Sequence, residues 1–459
     1  MAGFRTERDT MGEMQVPAEA LYGASTQRAV ENFPISQLRL QRPFLRAVGL
    51  IKAAAAKVNG ELGQLPPEMA ARIEQAAEAV ANGQHDREFV VDVFQTGSGT
   101  STNMNANEVI AHVAGAGVHQ NDHVNKGQSS NDVFPTAMHV AAAELTVREL
   151  LPALQELEEA LSAKAVEFDD VIKIGRTHLQ DAVPMRLGQE FSGYARQVEL
   201  GRRRIESALD GLYELALGGT AIGTRLNSSR EFAAGVIQEL AKRTQLPFRE
   251  ADNHFEAQAS KEAVVFFSGA LRALAVGLTK IANDIRWLGS GPRCGLGEIR
   301  LPETQPGSSI MPGKVNPVIA ESLLMVCAQV VGYDAAIAWC GAAGNFELNV
   351  MMPVMAYDLL ESISLLAAGS QNFSKKCVRG LTADRERSQA SVEQSLAMCT
   401  ALVPEIGYEK AAKVAKKAYQ TGQTVREVAV EESGLSPEAI DRALDPWRQT
   451  EGEGVGGGG

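Results

Sequence analysis

The sequence predicts an all-α fold, with a long central helical bundle and few, short strands, on three observations. In the middle third, apolar or small residues recur at alternating steps of three and four. One series runs Phe191, Tyr194, Val198, Gly201, Ile205, Ala208, Leu212, Leu215; another runs Val264, Phe267, Leu271, Leu274, Leu278, Ile281, Ile285, Leu288. Such sustained heptads belong to helices packed side by side at a shallow left-handed angle. Hydrophobic residues make up 45% of the chain but aromatic ones only 5%, so the apolar mass is mostly Ala, Leu, Val and Ile, which suits close helix packing. Period-two alternation, the mark of half-buried strands, is nearly absent.

Taken in order, residues 1–129 read as an N-terminal, mostly helical domain in which helical patterns at Val48–Val58 and Met69–Ala81 alternate with polar, Gly-rich loops. Residues 130–385 read as the central long-helix domain. Its first amphipathic stretch, Val147, Leu150, Leu154, Leu157 and Leu161, carries Pro152, which predicts a kink or a late helix start. In the long helices Gly201 and Ala208 allow neighbours to approach closely. Two such helices cannot bury both flanks alone, so the bundle is expected to be completed by other subunits. Residues 386–459 read as a small C-terminal domain of short charged helices, ending in GEGVGGGG, a tail that cannot pack and is expected to be disordered.

With 56 acidic and 44 basic residues the net charge is -12, which speaks against a general nucleic-acid or anionic-membrane binder. An anionic ligand must therefore be captured locally. The five cysteines, Cys294, Cys327, Cys340, Cys377 and Cys399, are scattered and hold no CxxC pair, so neither a disulfide framework nor a zinc site is indicated. The charged N-terminus lacks an apolar signal core, and no run of about 18 apolar residues occurs. A soluble cytoplasmic protein is expected, without membrane or nucleic-acid partners.

Four segments concentrate small hydroxyl, amide and glycine residues: Thr96 to Asn103, Gln128 to Asp132, Gly175 to His178, and Pro306 to Pro317. All are read as lying directly before helices, where free backbone N–H groups and short side-chain donors capture carboxylate or phosphate oxygens. In the last, Gly307 and Gly313 flank Ser308, Ser309 and Lys314, and Asn316-Pro317 reads as an N-cap followed by proline at N1. This is expected to be a mobile loop able to close over a ligand. It is not a Walker A loop, because Val315 stands where the hydroxyl after the lysine is required.

The GSSIMPGKVN stretch, Gly307 to Asn316, resembles the signature loop of the fumarase/aspartase superfamily, and the resemblance runs from TERDTMGEMQVP to IGYEKAAKVAKKA. Within it the chain is most similar to the class II fumarases (fumarase C type). Ser98, Ser130, His178, Pro306 and Gly313 fall on the fumarase side, whereas aspartases typically place Gln at the His178 position and Thr at the Ser130 position. The resemblance implies reversible anti hydration of fumarate to L-malate in the citric acid cycle, without metal or organic cofactor. It also implies a homotetramer with a twenty-helix core, in which three subunits contribute to each site. It makes Ser308 the base that removes the C3 proton of malate, with His178, polarised by Glu321, exchanging protons through a water. Ser98, Gly99, Thr100, Ser129, Ser130, Asn131, Thr177, Ser309, Lys314 and Asn316 become the substrate-binding residues. Because a neutral serine is a poor base, the chemistry requires a Ser308 oxyanion held by backbone N–H groups and a nearby cation, for which Lys314 is the local candidate.

Two places depart from the family pattern. The second anion site found in many members would fall on His119, Asn121 and Asp122, but its usual arginine is missing and its loop is shortened. His119 and His123 have metal-like spacing without a third ligand and are read as solvated. Arg225 stands in GTRLN where the family has GTGLN, and would either crowd a turn or add a cation near the substrate. The alternatives to a fumarase are an aspartate ammonia-lyase and a non-catalytic structural homologue on the same scaffold.

Overall fold

The computed structural model describes residues 3–451; the Gly-rich tail lies outside them. Helices dominate, and among the described residues the strands are two to seven residues long and pair into five two-stranded sheets. In chain order the elements that matter here are β1 (Phe4–Asp9), β2 (Gly12–Pro17), α1 (Ala24–Asn32), α2 (Arg42–Glu61), α3 (Pro67–Ala81), α4 (Thr100–Ala114), α5 (Ser130–Leu145), α6 (Leu151–Glu167), β3 (Ile172–Thr177), β4 (Gln180–Arg186), α7 (Leu187–Leu212), β5 (Glu214–Leu215), α8 (Arg230–Thr244), β6 (Arg249–Glu250), α9 (His254–Ala259), α10 (Glu262–Leu288), β7 (Ile299–Arg300), α11 (Val318–Gly341), β8 (Gly344–Asn345), β9 (Leu348–Asn349) and α12 (Met352–Lys376).

Contacts divide the chain into two compact units. The first comprises Met1–Pro152, Gly201–Ala275 and Val326–Ala368. Here α2 packs on α3, α5 and α8, because its Ala-rich sequence keeps the helices close. Ala47, Ile51, Ala53, Ala54 and Ala55 are fully buried. The second comprises Ala153–Leu200, Val276–Met325 and Gly369–Gly459. In it the β3–β4 hairpin and the short C-terminal helices share a core of Ile174, Met398, Leu402, Val414, Val428, Ile440 and Leu444.

Both heptad series are buried, from Phe191 to Leu215 and from Val264 to Leu288, although Leu215 lies beyond the end of α7, in β5. Around Pro152, α5 passes into α6 through one wide π turn, Thr146–Leu150, because a proline in the next turn offers no N–H to close a regular one.

The apolar side chains left uncovered are not those of the heptads. Phe266 (66%) and Trp287 (55%) on α10, and Met325 (69%) and Trp339 (76%) on α11, stand in the open. Helices α10 and α11 are long and apolar enough to cross a membrane by length and composition alone. Large exposed apolar side chains of this kind are candidates for contact with a partner surface.

Candidate active site

In the first unit the starts of α4 and α5 meet. Ser129 caps α5 in a capping box with Asp132, its oxygen accepting from the Asn131 N–H. Gly99 precedes α4 in a left-handed conformation at φ 74°, and a Cβ there would fall 2.0 Å from the Phe134 ring. Only glycine lets the two helix starts approach this closely. Asn103 on α4 donates to the Ser130 hydroxyl oxygen across the gap at 3.1 Å, and Ser98 and Thr100 share a hydrogen bond at 2.8 Å. Each helix start carries about half a positive charge, although the Asn131 N–H is taken by Ser129 and the Thr102 N–H by Gln95 Oε1. Ser98, Gly99, Thr100, Ser129, Ser130 and Asn131 are brought together here, with one constraint: the Asn131 amide donates to the Ala221 carbonyl at 2.8 Å, tying loop 217–229 to the α5 start. Asp132 completes the tie, accepting from the backbone N–H groups of Gly218 and Thr220.

The second unit holds the remaining candidates. Ser308 Oγ accepts two backbone N–H groups, from Ile310 at 3.2 Å and Met311 at 3.0 Å. Donors aimed at a hydroxyl oxygen favour its ionised form, so the loop lowers the cost of making Ser308 a base. The loop is closed by Gly307 N–H donating to the Lys314 carbonyl at 2.8 Å, with no room for a Cβ at Gly307, which would sit 2.4 Å from that oxygen. Ser309 and Lys314 are exposed.

Two sequence expectations are corrected. Asn316 does not cap α11: its amide turns back and donates to the Gly307 carbonyl at 2.6 Å, while the Pro317 carbonyl accepts the first bond of the next helix, from Glu321. Asn316 therefore clasps the loop. Nor does Gly175 to His178 precede a helix. Thr177 ends β3, and His178 and Leu179 form the two-residue tip of the β3–β4 hairpin, both in the left-handed region at φ 56° and 61°. This is the backbone a tight hairpin requires, adopted without glycine or asparagine. It leaves the imidazole exposed at the tip. Within the single chain no hydrogen bond joins His178 to Glu321, which lies in the first turn of α11.

The departures are also placed. His119 caps the π turn Gln120–Val124, its ring nitrogen accepting from the Asp122 N–H at 3.2 Å, and His123 accepts from the His119 N–H at 2.9 Å. Both rings thus serve their own loop, and Asn121 and Asp122 lie exposed beside them. Among the described residues no cluster of His, Cys, Asp and Glu fit to hold a metal occurs.

Arg225 takes up the left-handed backbone that a glycine would prefer, φ 62°, and its guanidinium pairs with Glu250, which also faces His254 at 2.9 Å. Partial burial opposes ionisation of Glu250, but hydrogen bonds from His254 and Arg225 hold its carboxyl below the usual carboxylate range. The Arg225 cation is therefore spent on its own loop. Arg225→Gly is expected to leave the KM for malate, the substrate that the resemblance implies, within about twofold, since no uniform binding energy is removed; a larger rise, measured by steady-state kinetics, would place the guanidinium at the substrate.

Sequence reasoning passed over the polar residues beneath the α4–α5 cluster. Lys52, Asn103, Asn107 and Asp132 are all buried. The available signal was the alternation Asn103, Asn105, Asn107 on α4, three amides in a segment with no solvent face.

Comparison with known proteins gives the family. The family model described as Lyase matches residues 12–332, and the model for the fumarase C C-terminus matches residues 398–451. A class II fumarate hydratase from Mycobacterium tuberculosis is 56% identical over 452 residues, covering 97% of this chain and 95% of the relative. The chain belongs to the class II fumarate hydratase family. A second member, from Corynebacterium glutamicum, is 55% identical over 451 residues, with 96% and 95% covered. The crystal structure of recombinant class II fumarase from Schistosoma mansoni superposes with a TM-score of 0.96 at 40% identity, over 98% of this chain and 100% of the other. As a class II fumarase by family, this chain is a lyase of the predicted all-α fold.

Proposed function

We propose that this protein catalyses the reversible hydration of fumarate to L-malate, with Ser308 as the base. The observation that carries this role is the pair of backbone N–H groups on Ser308 Oγ. Starting from malate, the Ser308 oxyanion takes the C3 proton, the C3 electron pair moves into the adjacent carboxylate to give the aci-form, and the C2 hydroxyl leaves as water on receiving a proton. The reverse path adds water across the double bond from opposite faces. Charge accumulates on the aci-carboxylate, so donors must already stand there; Lys314, Asn316 and the Ser309 backbone are assigned to it. His178, polarised by Glu321, exchanges protons at the site through a water, on the side of the C2 hydroxyl, with Thr177 beside it. Ser98, Gly99, Thr100, Ser129, Ser130 and Asn131 hold the other carboxylate.

The parts belong to a homotetramer in which three subunits build each site, acting in the cytoplasm. The uncovered Phe266, Trp287, Met325 and Trp339 on α10 and α11 support this assembly, since such residues need a partner surface. The absence of a His178–Glu321 hydrogen bond inside one chain agrees with it. Absorbance of fumarate tests the reading: purified protein given malate is expected to build the fumarate band, and protein given aspartate is not. A band from aspartate alone would make the protein an ammonia-lyase, and no band from either would leave only the scaffold.

A further inference from the structure

Lys52 lies in the middle of α2 with no exposed surface, where α2 packs on α4, α5 and the π turn before α5. A lysine ammonium is a donor only, and burying it without a counter-charge is costly. Its two hydrogen-bond partners are neutral: Asn125 Oδ1 and Gln128 Oε1, both at 3.0 Å. Asp132, a buried carboxylate that acts on it through space, is already engaged by the backbone N–H groups of Ser129, Gly218 and Thr220. The positive charge is thus not consumed by a direct ion pair.

Its effect on the surrounding amides is directional. Facing an ammonium, Asn125 and Gln128 must turn their oxygens inward. Gln128 then donates outward to the carbonyls of Val124 and Lys126, and Asn125 donates to the Gln128 carbonyl. The same Asn125 oxygen also receives the amides of Asn103 and Asn107, both at 3.2 Å. Asn103, its amide nitrogen so oriented, donates to Ser130 Oγ. With its oxygen accepting from Asn103, the Ser130 hydroxyl is left to donate its own proton forward, which is what a carboxylate needs.

We infer that Lys52 is a positioning residue for the dicarboxylate. Its ammonium sets the polarity of the Asn125–Asn103–Ser130 chain and places a buried positive charge behind the converging starts of α4 and α5. Because the field acts in a low-dielectric interior, it reaches the ligand with little screening. Burial draws the ammonium's pKa down to about 7, and the Asp132 carboxylate acts against that fall. The inference rests on the proposed placement of a substrate carboxylate at Ser98, Thr100, Ser130 and Asn131.

The test uses the assembled wild-type enzyme, Lys52→Met, and succinate as a dicarboxylate that cannot react. Lys52 acts on binding and not on the proton transfer at Ser308. Its loss is therefore expected to raise the malate KM and the succinate Kd by about tenfold or more, with kcat changed less than about threefold. Equal losses in kcat and folded fraction, with succinate affinity of the folded enzyme unchanged, would reduce Lys52 to a structural residue and overturn the inference. If Lys52→Met does not assemble, Asn103→Ala interrupts the same chain at its other end: a severalfold weaker succinate affinity with kcat retained supports the inference, and unchanged affinity overturns it. A wild-type enzyme that neither binds succinate nor forms fumarate would instead overturn the functional reading, a result separable from an active wild type and an indifferent Lys52→Met.

Discussion

Ser308→Ala is expected to lower kcat for malate dehydration by about 10²–10⁴-fold, the usual contribution of a positioned general base, while circular dichroism and thermal melting stay as in the wild type. The fold survives because Ser308 Oγ serves only its own loop: it accepts from Ile310 and Met311, and the Gly307–Lys314 and Asn316–Gly307 bonds that close the loop do not involve it. KM is expected to move little, since the carboxylate donors are untouched. Retained turnover would remove Ser308 from the chemistry. The same variant reports on the assembly. Ser130→Asp sets a carboxylate at the proposed carboxylate subsite, and is expected to be inactive alone. If the site draws Ser308 and Ser130 from different subunits, dissociating and reassembling the two inactive proteins together restores activity to roughly a quarter of the wild type, the fraction of sites that escape both lesions on random mixing. No recovery would mean that each chain builds its own site.

Gly99→Ala is expected to damage both stability and binding. The backbone at φ 74° is strained for any residue with a Cβ, at about 1–3 kcal/mol, and the added methyl meets the Phe134 ring at 2.0 Å, an overpacking cost of about 1–3 kcal/mol more. Phe134 is itself fixed, 1% exposed and with its ring centroid 4.6 Å from that of Phe44, so it cannot yield cheaply. The starts of α4 and α5 must therefore part, separating Asn103 from Ser130. The expected readout is a melting temperature lower by several degrees together with a raised malate KM. An unchanged KM in a destabilised enzyme would mean that the spacing of the two helix starts does not govern binding.

Much of this architecture is legible in the residues. The two heptad series are long and regular enough to survive any local detail, and every member is buried. The starts of α4 and α5 are legible because hydroxyl and amide side chains precede helical spacing, and Ser129 with Asp132 forms the box that their separation predicts. What escapes the reading has definite physical causes. The β3–β4 turn is built from His178 and Leu179, residues without turn preference, so nothing local announces a hairpin. Asn316 stands where a cap belongs, and only the return of the loop to within reach of the Gly307 carbonyl redirects its amide. Lys52 sits in an Ala-rich run beside Lys57, which reaches Glu239 in an ordinary ion pair, and sequence alone does not distinguish the buried lysine from the partly exposed one. Arg225 is resolved by Glu250, a partner 25 residues away that no local motif connects to it.

The converging starts of α4 and α5 bear on how this protein can change over generations. A backbone N–H is supplied by every residue type except proline, so a helix start keeps its donors through any substitution that preserves the close spacing set at Gly99. On the proposed reading, substitutions among Ser98, Thr100, Ser130 and Asn131 retune which anion fits, while the backbone donors persist. On such a scaffold, loss of one activity leaves an intact receptor on which another chemistry can be selected.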